Sequence, residues 1–119
     1  MNRVNLIGNL ATDVELRTVG EDKKVASFLL AVGRGGREAG ADFVGVSAWD
    51  RQAELCAEYL SKGRRVGVDG YLRSRDWEEE GRRRRAVEVV ATRVDFLGGS
   101  RREDGEGAEV MPFEAAAAG

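Results

Sequence analysis

The sequence predicts an all-β domain with one helix, folded as a five-stranded Greek-key barrel with the helix between the third and fourth strands. Apolar segments of strand length recur between turns rich in Gly, Asp and Glu, and the only proline is Pro112. A chain without proline and punctuated by glycine suits strands that bend at glycine. One segment, residues 51–61, spaces its apolar residues at helical period instead. The length, 119 residues and 13.0 kDa, allows one compact domain and little else.

Val4 to Leu10 is a short apolar run broken by Gly8-Asn9 and reads as a strand. Asp13 to Thr18 alternates polar and apolar residues, and Val19-Gly20-Glu21-Asp22 reads as a turn. Lys24 to Val32 is the second strand, with Phe28, Leu30 and Val32 on one face. Gly33 to Ala41 is a Gly-rich loop, and Asp42 to Trp49 is the third strand. In residues 51–61, Leu55, Cys56, Tyr59 and Leu60 fall on one helical face. Asp50 stands where an N-cap belongs, Gly63 where a C′ glycine belongs, and Glu58 and Lys62 are spaced for an ion pair. Arg64 to Trp77 is a long strand, Glu78-Glu79-Glu80-Gly81 a turn, and Arg82 to Leu97 the return, with bends expected at Gly67 and Gly70. Gly98-Gly99 closes the domain. A small, partly open barrel with a helix after its third strand is the arrangement of an OB-fold.

Several chemistries are excluded. With no histidine, neither a Ser/His/Asp nor a Cys/His site can form, and no cofactor or metal is expected. The single Cys56 permits no internal disulfide and suggests a reducing compartment. No apolar run approaches the roughly 18 residues of a membrane span, and the N-terminus lacks a signal-peptide core. The net charge is −2, yet sixteen of the nineteen cations are arginine. Residues 1–99 carry +1 and residues 100–119 carry −3, so the acidity sits in the tail.

Alternate side chains of a strand point to opposite faces. In the third strand Val44, Val46 and Ala48 form a core set, while Phe43, Gly45, Ser47 and Trp49 face away. At about 3.3 Å per residue the two rings stand roughly 20 Å apart. In the next strand Val66, Val68 and Leu72 share one parity, and Tyr71, Arg73, Arg75 and Trp77 share the other. A core cannot take unpaired Arg73 and Arg75, so Tyr71 and Trp77 share a partly solvated face with them. Flat rings interleaved with guanidinium groups match what single-stranded nucleic acid offers, a base to stack and a phosphate to pair. No row of Asn or Gln lies beside them, so little base preference is expected.

Other readings stand beside this one. Phe43 could serve a core or a base, and Phe28, Phe96 and Tyr59 read as packing residues. Arg34 and Arg37 add charge in the Gly-rich loop. The Arg82–Arg85 run either pairs with Glu78–Glu80 across a hairpin or guides a strand of nucleic acid. Its members alternate, so Arg82 and Arg84 share one face and cannot act together with Arg83 and Arg85.

The opening Met1-Asn2-Arg3-Val4-Asn5-Leu6-Ile7-Gly8-Asn9-Leu10 resembles the first strand of bacterial single-stranded DNA-binding proteins. Asp13-Val14-Glu15-Leu16-Arg17, Ala57-Glu58-Tyr59-Leu60-Ser61-Lys62-Gly63, Val68 to Trp77 and Leu97-Gly98-Gly99 resemble the following segments of that family in order. The resemblance covers residues 1–99 and implies an OB-fold single-stranded DNA-binding domain that assembles as a homotetramer and is not an enzyme. It also implies a bacterial, cytoplasmic, nucleoid-associated protein of DNA replication, recombination or repair, with no membrane association. The family's stacking aromatics match Phe43, Trp49 and Trp77, although many members exchange the Trp and Phe of the first two positions. A further family tryptophan has no counterpart in Arg34 to Ala41, and the family's basic positions correspond to Arg3, Arg34, Arg73 and Arg75.

The tail departs from the resemblance. The family ends in Pro-Phe, whose terminal carboxylate recruits replication and repair proteins. Here Met111-Pro112-Phe113 is followed by Glu114 to Gly119, so Phe113 is not C-terminal and that recruitment is in doubt. The tip is degenerate, or its last residues are an addition, or the chain is a short paralogue without partner recruitment. Residues 100–119, acidic and poor in core residues, are expected to be disordered. Two other functions compete: an OB-fold protein-interaction module or replication accessory protein with weak DNA binding, and a carboxylate-and-metal hydrolase. The second has little support, since Asp69 and Asp76 have opposite parity and Glu78–Glu80 do not converge.

Overall fold

The computed structural model describes residues 1–36 and 39–98. Six strands and one helix follow in the order β1 (Val4–Leu10), β2 (Glu15–Val19), β3 (Lys23–Gly33), β4 (Ala41–Trp49), α1 (Asp50–Tyr59), β5 (Arg65–Glu79) and β6 (Arg82–Leu97). The hydrogen-bonded order is β1-β5-β6-β4-β3-β2, and β1 also pairs with β3, which closes a five-stranded ring. The sixth strand, β2, is the alternating Asp13–Thr18 segment. It flanks Lys23–Ser27 of β3, while β1 flanks Leu30–Ala31 on the same strand. The two therefore act as one edge interrupted at residues 11–14. Counted this way the helix still follows the third barrel strand, as an OB-fold requires.

All pairings are antiparallel except β4 with β6, joined in parallel over Val46↔Val89 and Ser47↔Val90. The pleat sends Phe28, Leu30, Val46, Ala48, Val66, Val68, Val89, Val94 and Phe96 inward. Helix α1 adds Ala53, Leu55 and Cys56 to the same cluster and packs on β3 and β4. Leu60, just past it, completes the plug. Phe28 and Phe96 are thus core residues, as their positions suggested.

Gly70 stands where the β5–β6 register shifts, after Asp69, and Thr92 of β6 is the extra residue, its hydroxyl donating to the Asp69 carbonyl at 3.1 Å. A Cβ at Gly70 would run into the Val90 carbonyl, so only glycine permits this approach.

The helix boundaries correct three expectations. Trp49, not Asp50, is the N-cap residue, with extended backbone and no side-chain cap. Asp50 opens the helix at φ 55°, and its carboxylate accepts the Lys24 N–H at 3.5 Å instead. The helix stops at Tyr59 with Leu60 as C-cap, so Gly63 lies beyond the C′ position. Gly63 uses its φ of 96° to turn back and donate to the Leu10 carbonyl at 2.8 Å. Lys62 has left the helix, and its N–H donates to Asp13 at 2.8 Å, so no helical turn holds it opposite Glu58.

Candidate nucleic-acid interface

The site is built on the paired strands β5 and β6, which run on past the barrel as a two-stranded arm. From Leu72 to Glu79 every residue of β5 is exposed, and so are Arg82–Arg85 on the return strand. The turn is narrower than the sequence suggested. Strand pairing persists through Glu78↔Arg83 and Glu79↔Arg82, leaving only Glu80 and Gly81 to reverse the chain at φ 54° and 76°. Two residues with positive φ match the twist of a hairpin. This turn fixes the register at Trp77↔Arg84, Arg75↔Ala86, Arg73↔Glu88 and Tyr71↔Val90.

One face of the arm therefore carries Tyr71, Arg73, Arg75 and Trp77 with Arg82, Arg84, Glu88 and Val90 from β6. The Arg75 guanidinium lies 5.3 Å from the Trp77 ring centroid, and that of Arg73 lies 5.8 Å from the Tyr71 ring. Arg73 Nη2 also donates to the Tyr71 hydroxyl at 3.4 Å. Arg84 pairs with Glu79 at 3.5 Å. Each guanidinium thus extends an aromatic plane, which suits alternation of base and phosphate.

The other face holds Leu72, Ser74, Asp76, Arg83, Arg85 and Val87. Leu72 shares the parity of the core residues Val66 and Val68, but it is 46% exposed because β5 has left the barrel by that point. Arg85 Nε donates to Asp76 at 2.9 Å and Arg83 stands at 3.6 Å. The Arg85 hydrogen bond, with its charge and the Arg83 bond adding, holds the Asp76 carboxyl below its ordinary range. Alternation therefore sends Arg83 and Arg85 to Asp76 on the back, while Arg82 and Arg84 share the aromatic face, Arg84 paired with Glu79. Of the expected pairing with Glu78–Glu80, the structure shows Arg84 with Glu79, and the back-face arginines take Asp76 instead.

The aromatic face continues into the barrel as a groove. Trp49, Tyr71, Arg73, Val90 and Gln52 line its first hollow. Trp49 and Arg73 recur in the second, with Arg17, Ser27, Ser47, Arg75 and Glu88. Arg75 and Glu88 recur in the third, with Glu15, Leu29 and Gly45. These shared residues make the three hollows one continuous path. It brings Trp49, Tyr71, Arg73 and Arg75 together, with Trp77 and Arg84 alongside.

The remaining sequence-derived residues lie around this path. Phe43 is 62% exposed on the same face of β4 as Gly45 and Trp49, which favours its surface reading over the core one. Arg34 pairs with Asp42 at 3.1 Å, beside Phe43 in sequence. Arg3 is exposed between Asn2, whose amide bonds both backbone groups of Leu72, and Val4, paired with Gly70. It therefore sits at the Tyr71 end of the path. Arg82 faces Glu79 at the arm tip. Arg37, Met111, Pro112 and Phe113 lie outside the described residues.

The sequence did not single out Arg17, Gln52 or Glu88. Arg17 alternates correctly within Glu15-Leu16-Arg17, but only the β2–β3–β4 register carries it to Trp49. Glu88 could have been found by counting out from a two-residue turn at 80–81. Among the described residues no group of three or more His, Cys, Asp or Glu could hold a metal, and no helix is long and apolar enough to cross a membrane.

The model of the single-strand binding protein family matches residues 1–97. Single-stranded DNA-binding protein 3 of Clostridium acetobutylicum is 45% identical over 102 residues, covering 82% of this chain and 71% of that protein. The single-stranded DNA-binding protein of Clostridium tetani is 46% identical, covering 82% and 70%. Single-stranded DNA-binding protein 1 of Staphylococcus aureus is 46% identical, covering 82% and 65%.

Proposed function

The chain belongs to the single-strand binding protein family, and we propose that it coats single-stranded DNA by stacking bases on Trp49, Trp77, Tyr71 and Phe43 while arginines take the phosphates. Arg73 and Arg75 are the central phosphate partners, with Arg3, Arg34, Arg82 and Arg84 along the rims. The family consists of binding proteins, so no catalytic step is assigned. The observation that carries this reading is the continuous path in which Trp49, Tyr71, Arg73 and Arg75 meet. Stacking contributes about 1–3 kcal/mol per base and accepts any base. A mixed-sign groove adds a limited charge term, so stacking supplies much of the affinity. The test is a titration with oligo-dT at low salt. Tryptophan fluorescence is expected to quench, and affinity to fall as salt rises. Absence of quenching at low salt would reject the reading.

Two further parts of the proposal concern organisation. Residues 1–99 are read as the DNA-binding domain and 100–119 as an acidic appendage. The chain is read as a homotetramer, a reading supported by apolar side chains outside the groove. Ile7 is 53% exposed and lines a shallow hollow with Leu97, while Leu72 and Val87 are exposed on the back of the arm. A bacterial cytoplasmic setting beside the nucleoid follows from the same function.

A further inference from the structure

Resting on that reading, we infer that Glu88 is a built-in competitor for the DNA phosphate, holding Arg75 and setting how tightly the groove binds. Glu88 stands on the groove face of β6, directly across the ladder from Arg73. Its Oε1 lies 4.0 Å from Arg75 Nε, and its side chain is only 25% exposed. It lines both hollows that contain Arg75, and one of them also holds Arg17 and Arg73. The other acids of the arm are placed differently. Asp76 faces the back, bonded to Arg85, and Glu79 pairs with Arg84 near the tip. Glu88 is the acid of the arm that lies among the groove arginines and within ion-pair range of Arg75.

Half-burial keeps this charge from being fully screened. A phosphate that takes Arg75 displaces an anion already there, so the exchange gains less than neutralising a bare cation and releases fewer counterions. The same anchor holds Arg75 over the Trp77 ring, 5.3 Å from its centroid, where a base would stack. Glu88 is thus a positioning residue that acts through Arg75.

The test measures oligo-dT affinity of the full chain by tryptophan quenching across a salt series. The forms compared are the unmodified protein, Glu88→Gln, Arg75→Gln and the double variant. Glu88→Gln is expected to bind roughly two- to fivefold tighter at low salt, the scale of an exposed ion pair. Its log-affinity against log-salt slope should steepen by up to about 0.7, one phosphate contact on a single strand. Both gains should vanish in the Arg75→Gln background. Glu88→Thr, neutral and strand-favouring, reads the same quantity should Glu88→Gln melt early. Unchanged or weaker binding by well-folded neutral variants, or a gain that survives loss of Arg75, overturns the inference. Failure of the unmodified protein to bind oligo-dT instead overturns the proposed function, and the inference with it.

Discussion

Trp77 and Cys56 show how differently single residues of this small chain are used. Trp77 is 40% exposed at the side of the arm, so its ring contributes little to the core and is available to a base. Trp77→Ala should weaken oligo-dT binding by about 1–3 kcal/mol, while the melting temperature stays within the small range of surface substitutions. Fluorescence titration of Trp49 quenching and a thermal melt check both halves. Cys56 is the opposite case. Burial pushes its thiol up to about 12, leaving almost no thiolate at neutral pH. It should react with a disulfide reagent such as DTNB only on unfolding, and rapid labelling of the native protein would contradict its placement in the core. Both fates were readable from one-dimensional pattern: Cys56 from helical spacing, Trp77 from strand parity beside two arginines that a core would reject.

At the scale of the element, the β5–β6 arm divides one arginine run between two tasks by alternation alone. On its back face Asp76 is held below the ordinary carboxylate range by Arg85 first and Arg83 second. A carboxylate with a depressed folded value stabilises fully above the unfolded value, near pH 3.9, and loses that contribution as pH falls through the folded value. Asp76→Asn should therefore flatten the acid limb of the melting-temperature profile below about pH 4. Near pH 7 it should cost little, because exposed pairs contribute little. A melting series from pH 2 to 7 decides it. The arm also shows where sequence reading falls short. A four-residue turn over Glu78–Gly81 would set Trp77 across from Arg82, whereas the two-residue turn sets it across from Arg84. A shift of two residues keeps every side chain on its face and changes every partner. Hence the faces were legible and the Arg75–Glu88 contact was not. The misplaced helix cap has a similar cause, since the Asp50 carboxylate accepts the Lys24 N–H of β3.

For the whole molecule, the sheet closes through β1–β3, and Ile7, Leu72 and Val87 stay exposed outside the groove. Isolated exposed aliphatics are ordinary, but patches on two sides of a small domain are expected to be covered by other copies. Solution mass by light scattering should correspond to four chains, with and without oligonucleotide, and a monomer mass at micromolar concentration would reject the tetramer.

The sequence by itself determined the strand faces, the single helix, the core aromatics Phe28 and Phe96, and the pairing of arginine with exposed rings along β5. These follow from period and from the cost of burying charge, which act within one segment. Only the tertiary structure decided that β2 delivers Arg17 to Trp49, that Leu72 leaves the core, and that Glu88 sits among the groove arginines. Each depends on register or on where a strand leaves the barrel: barrel closure sets it for Arg17 and Leu72, and the length of the turn at 80–81 sets it for Glu88.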